Sequence, residues 1–111
     1  MIPQVRPGDF DDWLQAQPAR PVVLDVREPW EVHTASLDVP DADVVVIPMQ
    51  EVPQRLHEVP QDRPVAVLCH HGMRSQRVAM FLAHQGYTDV ANIAGGIDAW
   101  SRERDPGIPL Y

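Results

Sequence analysis

Short apolar runs separated by stretches of helical spacing are the feature that most limits the folds open to this chain. The runs lie at residues 2–5, which is the weakest, and at 22–26, 44–47, 65–68 and 90–93. Several contain continuous apolar stretches, which are typical of strands covered on both faces of a parallel sheet. Because helical stretches lie between them, the pattern predicts an α/β layer fold with mostly parallel strands.

Four stretches between these runs carry helical signals. In the first, Pro7 suits a helix start, and Phe10, Trp13 and Leu14 form one apolar stripe at i, i+3, i+4 spacing. The others are predicted over residues 50–57, from the turn after position 69 to about position 86, and over 97–103.

Composition narrows the class of protein. A chain of 111 residues is long enough for one core, and its single cysteine allows no intrachain disulfide. No secretory or membrane-spanning stretch is seen, so we expect a soluble, cytoplasmic protein. The formal charge of −7 argues against nucleic acid or an anionic membrane as a partner, because both attract basic surfaces.

The single cysteine, Cys69, ends a predicted strand and opens a turn that leads into a helix. Such a turn gathers backbone N–H groups in one concavity, and the helix dipole adds positive potential there. These features favour a thiolate nucleophile and would hold the anion that it attacks. The alternative is a buried, unreactive thiol that acts as a small apolar side chain.

The charge around this cysteine differs from that of the whole chain. No Asp or Glu occurs between Arg63 and Thr88, whereas Arg74 and Arg77 lie within this segment. We therefore expect acid to be kept away from the thiol. Chance together with a buried strand and helix would explain this distribution, and a small anionic substrate would explain it equally well. Arg74, at the start of the predicted helix, is expected either to reach an anionic leaving group or to hold the loop in place.

Two histidines follow the cysteine directly. Because His70 and His71 are adjacent in a tight turn, we expect their side chains to point in different directions. A metal site built from Cys69, His70 and His71 is not expected, since consecutive ligands close a tetrahedron poorly.

Two further clusters flank other predicted strands. Asp25 and Arg27 follow residues 22–24 and share a strand face, so they can pair with each other or with loop amides. They serve either to anchor a loop or to contact a substrate. The pair Gly95 and Gly96 lies between a strand and a helix and lacks the Lys-Ser/Thr ending of a phosphate-binding loop, so we interpret it as structural.

Taken together, these three clusters resemble the rhodanese, or sulfurtransferase, family. The likeness covers nearly the whole chain and rests on three segments in order: Asp25-Val26-Arg27-Glu28, Cys69-His70-His71-Gly72-Met73-Arg74-Ser75 and Ala94-Gly95-Gly96-Ile97-Asp98-Ala99-Trp100. One departure is the segment 36–43, where the family's usual Gly-His-Ile-Pro-Gly-Ala stretch is missing. The departure leaves open the conformation of the 33–43 connection.

The resemblance implies a single rhodanese-like domain over residues 1–111, with three layers and a central, mostly parallel five-stranded sheet. It also implies that Cys69 is the catalytic residue and carries sulfane sulfur as a persulfide. The residues implied to bind the substrate are His70, His71, Gly72, Met73, Arg74 and Ser75. Those implied to support the site are Asp25, Arg27 and Glu28. No metal and no other cofactor is expected.

The activity implied is transfer of sulfur from thiosulfate or a related small anionic donor to cyanide, a small thiol or a protein thiol. One alternative is a non-catalytic interaction or sulfur-relay module with the same fold. A cysteine phosphatase or arsenate reductase is a further alternative, disfavoured because only four residues separate Cys69 from Arg74 and form a loop smaller than a tetrahedral oxyanion needs. The sequence does not indicate the physiological donor, the acceptor or the oligomeric state.

Overall fold

The computed structural model describes residues 1–111 and contains one parallel sheet of five strands in the order β1-β5-β4-β2-β3. The strands are β1 (Gln4–Val5), β2 (Val22–Asp25), β3 (Asp43–Val46), β4 (Val65–Leu68) and β5 (Val90–Ile93). Strands β2, β4 and β5 are buried at every residue, as their mainly apolar sequences predict, and the only polar residues among them are Asp25 and Asn92. The α/β fold with a parallel sheet is therefore confirmed.

Four α-helices flank the sheet: α1 (Phe10–Gln15), α2 (Pro29–Thr34), α3 (Met73–His84) and α4 (Gly96–Glu103). The helix expected over 50–57 is wrong as a continuous helix, since the structure has separate 3₁₀ turns at Met49–Glu51 and Leu56–Glu58. Pro53 lies between them and has no N–H to continue a helical ladder.

Helix α2 was not predicted from the apolar pattern, yet its start is encoded locally. Pro29 occupies the first turn, where a missing N–H costs nothing. Glu28 and Glu31 form a reciprocal capping box, in which each side chain accepts a hydrogen bond from the other residue's backbone N–H. The segment that follows β2 is therefore fixed as a short helix.

The sheet separates two apolar layers, because alternate residues of each strand point to opposite faces. Val22, Leu24 and Cys69 belong to the layer that packs on α3. Val23 and Trp100 belong to the other layer, together with the residues from α1 and α4. The chain thus has the three-layer arrangement expected of it.

The connection from α2 to β3 packs on the α1 and α4 side. Val39 and Ala42 are buried in that layer, and Arg20 Nη2 donates to the carbonyls of Pro40 (3.0 Å) and Ala42 (3.2 Å). None of the hydrogen bonds of residues 36–43 goes to the turn after β4. The departure from the family pattern therefore lies away from the cysteine.

The carboxyl ends of β2, β4 and β5 meet at one edge of the sheet, since all three strands are parallel. Asp25, Cys69 and Ala94 lie at or just beyond these ends. Ligand sites of open α/β sheets lie at this edge. None of the helices is both long enough and apolar enough to span a bilayer.

Candidate active site around Cys69

The turn between β4 and α3 is shaped by glycine. Gly72 has a φ angle of 104°, a left-handed conformation that residues other than glycine rarely adopt. A Cβ at this position would also lie 3.0 Å from the backbone nitrogen of Gly95. This conformation turns the Gly72 N–H back onto Cys69, where it donates to Sγ at 3.0 Å.

Other backbone N–H groups of this turn have no acceptor within the protein. They belong to His70, His71, Met73, Arg74 and Ser75. The last three are in the first turn of α3, whose N–H groups have no partner inside the helix. Free donors at a helix N-terminus form a binding site for an anion, as the sequence predicts for this turn.

A polar pair lies on the inner side of the thiol. Ser75 Oγ is 3.2 Å from Cys69 Sγ and 2.5 Å from Asn92 Oδ1. Its single proton can be donated to only one of them, so Ser75 can accept the proton of a thiol or donate to a thiolate. Asn92 Nδ2 also donates to the Gly72 carbonyl (3.2 Å), which ties the turn to β5. The sequence analysis missed Asn92 because it lies inside an apolar strand.

Cys69 itself is 1 % exposed and belongs to an apolar layer. Burial alone fits the alternative of an unreactive thiol. The contacts of Sγ do not fit that alternative well, because a thiol that acts only as an apolar side chain needs no hydrogen bond. Here Sγ is contacted by a backbone N–H and a serine hydroxyl, which are groups that stabilise negative charge on sulfur.

Arg74 forms a bidentate ion pair with Glu31 of α2. Nη1 and Nη2 each lie 2.8 Å from a different carboxylate oxygen, and the Glu31 side chain is only 4 % exposed. Hydrogen bonds from Arg74 lower the pKa of Glu31 to about 2, despite burial. The fold therefore brings an acidic residue from a distant segment to the arginine of the loop, although none of the hydrogen bonds of Glu31 reaches the thiol.

This ion pair supports one of the two expected roles of Arg74. Each terminal nitrogen donates one hydrogen bond to Glu31, which balances the positive charge there. The contact holds the start of α3 against α2, whereas a contact of Arg74 with an anionic leaving group stays a prediction. Glu31 was not predicted as a site residue, since nothing local to α2 indicates its partner on α3.

We predict that Glu31→Gln makes stability less dependent on pH. Because the pKa of Glu31 falls from 4.5 to about 2 on folding, its contribution is complete above about pH 4.5 and is lost as the pH falls towards 2. At neutral pH the variant should be less stable by about 2–3 kcal/mol. Denaturant unfolding at several pH values should show this gap closing in acid.

The control for this prediction is Glu51→Gln, which removes an exposed partner of Arg55. It should change stability far less than Glu31→Gln, because exposed ion pairs contribute little. A gap between the wild type and Glu31→Gln that stays constant from neutral pH to about pH 2 would contradict a charged Glu31 in the folded protein.

Asp25 and Arg27 form a buried ion pair, as one of the two expected arrangements requires. Arg27 Nε and Nη2 donate to the two Asp25 oxygens (2.9 and 2.7 Å), and the Arg27 backbone N–H also donates to Asp25 (3.2 Å). Arg27 Nη1 donates to the Glu31 carbonyl (3.3 Å) and to Tyr111 Oη (3.1 Å). The pair therefore anchors α2, and through Glu31 it supports the cysteine loop.

Tyr111 was also missed by the sequence analysis, since it follows no motif. Its hydroxyl donates to Glu31 Oε2 (2.8 Å), and its ring stacks on His70 with centroids 3.9 Å apart. Burial and the neighbouring carboxylate raise the pKa of Tyr111 to about 12, whereas the nearby Arg27 opposes the shift. Tyr111 therefore stays protonated and links α2 to the first residue after Cys69.

The expectation that the two loop histidines point in different directions is wrong. The rings of His70 and His71 lie face to face, with centroids 3.9 Å apart and planes tilted by 32°. His70 is thus held between His71 and Tyr111. Stacking between the rings therefore outweighs the local tendency of adjacent side chains to diverge.

The paired glycines place the start of α4 against the cysteine loop. Gly96 has φ of 63°, and a Cβ on it would lie 2.5 Å from the Cys69 carbonyl oxygen. This close approach lets Ile97 N–H donate to the Cys69 carbonyl (2.9 Å) and Asp98 N–H to the His70 carbonyl (3.1 Å). The structural interpretation of this cluster is confirmed.

The remaining predicted site residues lie around this centre. Met73 is 73 % exposed beside the loop and contributes its free N–H. Glu28 makes its contacts within α2, where its backbone N–H donates to Glu31 Oε1 (3.0 Å) and its side chain caps the helix. The structure therefore brings Cys69, Gly72 and Ser75 together at the sulfur, with the charged residues in a supporting network.

Comparison with known proteins agrees with this arrangement. The sequence model of the rhodanese-like domain matches residues 7–103. A sulfurtransferase from Allochromatium vinosum is 39 % identical over 89 residues, which cover 80 % of this chain and 77 % of that protein. The thiosulfate sulfurtransferase GlpE of Vibrio cholerae is 31 % identical over 84 residues, covering 76 % of each chain.

A solved structure shows the same fold over nearly the full length. The rhodanese-related protein of Thermoplasma volcanium superposes with a TM-score of 0.76 at 28 % identity, covering 98 % of this chain and 99 % of that one. The family match spans the cysteine loop and both flanking clusters. This chain belongs to the rhodanese-like domain family and has sulfurtransferases among its relatives.

Proposed function

We propose that this protein is a thiosulfate sulfurtransferase-like enzyme that carries sulfane sulfur as a persulfide on Cys69. The observation that carries the proposal is the turn around Sγ, where Gly72 N–H donates to the sulfur and five further backbone N–H groups have no protein acceptor. A persulfide anion needs such donors. The names of relatives, a sulfurtransferase and a thiosulfate sulfurtransferase, support the same reaction class.

In the first step, the Cys69 thiolate attacks the outer sulfur of thiosulfate or a related donor. A bond forms between Sγ and that sulfur, and the bond to the sulfonate breaks, so that sulfite leaves with the electron pair. The product is a cysteine persulfide. Each backbone donor that contacts its terminal sulfur contributes about 3 kcal/mol, by analogy with oxyanion holes.

In the second step, the acceptor attacks the terminal sulfur of the persulfide. A bond forms between the acceptor and the terminal sulfur, and the bond from that sulfur to Sγ breaks, which regenerates the Cys69 thiolate. With cyanide as the acceptor the product is thiocyanate, and with a small thiol or a protein thiol it is a persulfide of that thiol. No cofactor is proposed, because sulfur nucleophiles and leaving groups are already anionic near neutral pH. A free catalytic thiol must stay reduced, and we therefore propose a cytoplasmic location.

The supporting residues act through position rather than contact with the sulfur. Arg74 is neutralised by Glu31, so the positive potential at the site comes from N–H groups and the α3 dipole. Asp25, Arg27 and Glu28 hold α2, which in turn holds Arg74. His70, His71, Met73, Arg74 and Ser75 bind the substrate through their backbone N–H groups.

Residues 1–111 are proposed to form a single domain, which extends beyond residues 7–103, the region that matches the family model. Strand β1, before residue 7, pairs with β5, and Tyr111, after residue 103, donates to Glu31. Both ends of the described chain therefore contact the elements that hold the cysteine loop.

The second candidate is a non-catalytic interaction or relay module, which the burial of Cys69 favours. The test is incubation with thiosulfate and cyanide, followed by measurement of thiocyanate. The wild type should form thiocyanate, and Cys69→Ser should reduce the rate to that of a reaction without protein. Absence of thiocyanate, together with resistance of Cys69 to iodoacetamide at neutral pH, would favour the module instead.

A further inference from the structure

Three metal-ligating side chains converge beside the cysteine loop without contacting Sγ. They are His70 and His71 from the loop and Asp98 from the first turn of α4, and one donor atom from each lies within 4.8 Å of the others. The sequence argument against a metal considered only consecutive ligands. Asp98 comes from a separate segment, so the cluster does not depend on neighbouring residues alone.

His70 also carries an unusual polar atom. Its Nε2 is buried and has no hydrogen-bond partner. Leaving a buried polar atom without a partner costs about 1–3 kcal/mol, so such an atom in a folded protein calls for an explanation. The His70 ring is held on both faces, by Tyr111 and by His71, and cannot easily turn towards water.

Asp98 is held in place by contacts outside the cluster. Its backbone N–H donates to the His70 carbonyl at 3.1 Å, and its Oδ2 accepts from Arg102 Nε at 3.0 Å. Oδ1 has no hydrogen-bond partner in the protein. A carboxylate oriented by a second residue is the arrangement seen around metal ligands in general.

We propose that His70, His71 and Asp98 bind a divalent transition-metal ion of the zinc class. Two imidazoles and one carboxylate favour such an ion over Mg²⁺ or Ca²⁺, which prefer all-oxygen sites. Bonds of about 2.0–2.1 Å require the donor atoms to lie less than 4.8 Å apart. Because His71 stacks on His70, its exposed side chain must leave this stack and rotate to direct a ring nitrogen at the same ion, and water would fill the remaining position.

A metal ion bound at this site would link the cysteine loop to helix α4. His70 follows Cys69 directly, and its carbonyl is fixed by α4. An ion that joins the loop to Asp98 would restrict the segment whose N–H groups surround the sulfur. The binding itself does not depend on any reaction at Cys69 and can be measured without it.

The test uses tag-free Cys69→Ser protein, which removes the thiol as a competing metal ligand. Titration with Co²⁺, followed by absorbance, and with Zn²⁺, in competition with a chromogenic chelator, should show one bound ion per chain. In this background, Asp98→Asn and His71→Asn should each weaken binding by about 10-fold or more. His84→Asn replaces an exposed histidine elsewhere and should leave binding unchanged.

His71 is exposed, so its variant should keep the fold, and circular dichroism can check this for all three variants. The proposal would be overturned if Cys69→Ser bound no Co²⁺ or Zn²⁺ at millimolar concentration. It would also be overturned if binding were unaffected by both Asp98→Asn and His71→Asn. Since Cys69 is absent throughout, neither result bears on the proposed sulfur transfer.

Discussion

Gly96→Ala is expected to destabilise the protein by roughly 3 kcal/mol or more and to abolish sulfur transfer. The added Cβ would collide with the carbonyl oxygens of Cys69 and His70, which are backbone atoms that cannot move aside without shifting the loop. The left-handed φ of 63° adds strain for any side chain. Moving the loop would also break the hydrogen bonds from Ile97 and Asp98.

Gly86→Ala is the matched control, because Gly86 also has a positive φ, of 99°, but no atom lies within 4 Å of the added Cβ. It should lose only about 1 kcal/mol, from backbone strain alone, and keep full activity. Denaturant unfolding and the thiocyanate assay provide both measurements. Equal losses of stability in the two variants would show that close packing at Gly96 is unimportant.

Arg27→Met is expected to cost about 3–5 kcal/mol of stability, because it leaves the Asp25 carboxylate buried without its partner. Both side chains of the pair are almost completely inaccessible to solvent. The substitution also removes the donors to the Glu31 carbonyl and to Tyr111. Helix α2 should therefore loosen, and the Arg74 contact that depends on it should weaken.

Arg55→Met serves as the control for this loss, since Arg55 makes two ion pairs, to Glu51 and Glu58, on the surface. It should change the unfolding midpoint far less than Arg27→Met does. Adding Asp25→Asn to Arg27→Met should recover part of the lost stability, because the unpaired charge is then removed. If Arg27→Met proved as mild as Arg55→Met, the buried network would not be holding α2.

Local signals predicted much of the fold and the centre of the site. Mainly apolar runs identified β2, β4 and β5, because strands buried on both faces need no polar alternation. The position of Cys69 between a strand and a helix predicted the turn of N–H groups, since that geometry is set by the backbone. Gly72 adopts the left-handed conformation suggested by its place in the turn.

The supporting network could not be predicted in the same way. Glu31 and Arg74 lie on different helices, and only the completed fold brings them within 2.8 Å. Asn92 is surrounded in sequence by strand residues, and Tyr111 follows an irregular segment with no periodicity. Side-chain partners of this kind depend on how elements pack, which local spacing does not encode.

The most direct test of the central claim is the intact mass of the protein after exposure to thiosulfate without an acceptor. The account predicts a gain of one sulfur atom, located on the peptide that contains Cys69 and removed by cyanide with release of thiocyanate. Cys69→Ser should gain nothing. An unchanged mass of the folded, reduced wild-type protein would contradict the proposal that the turn around Cys69 stabilises a persulfide.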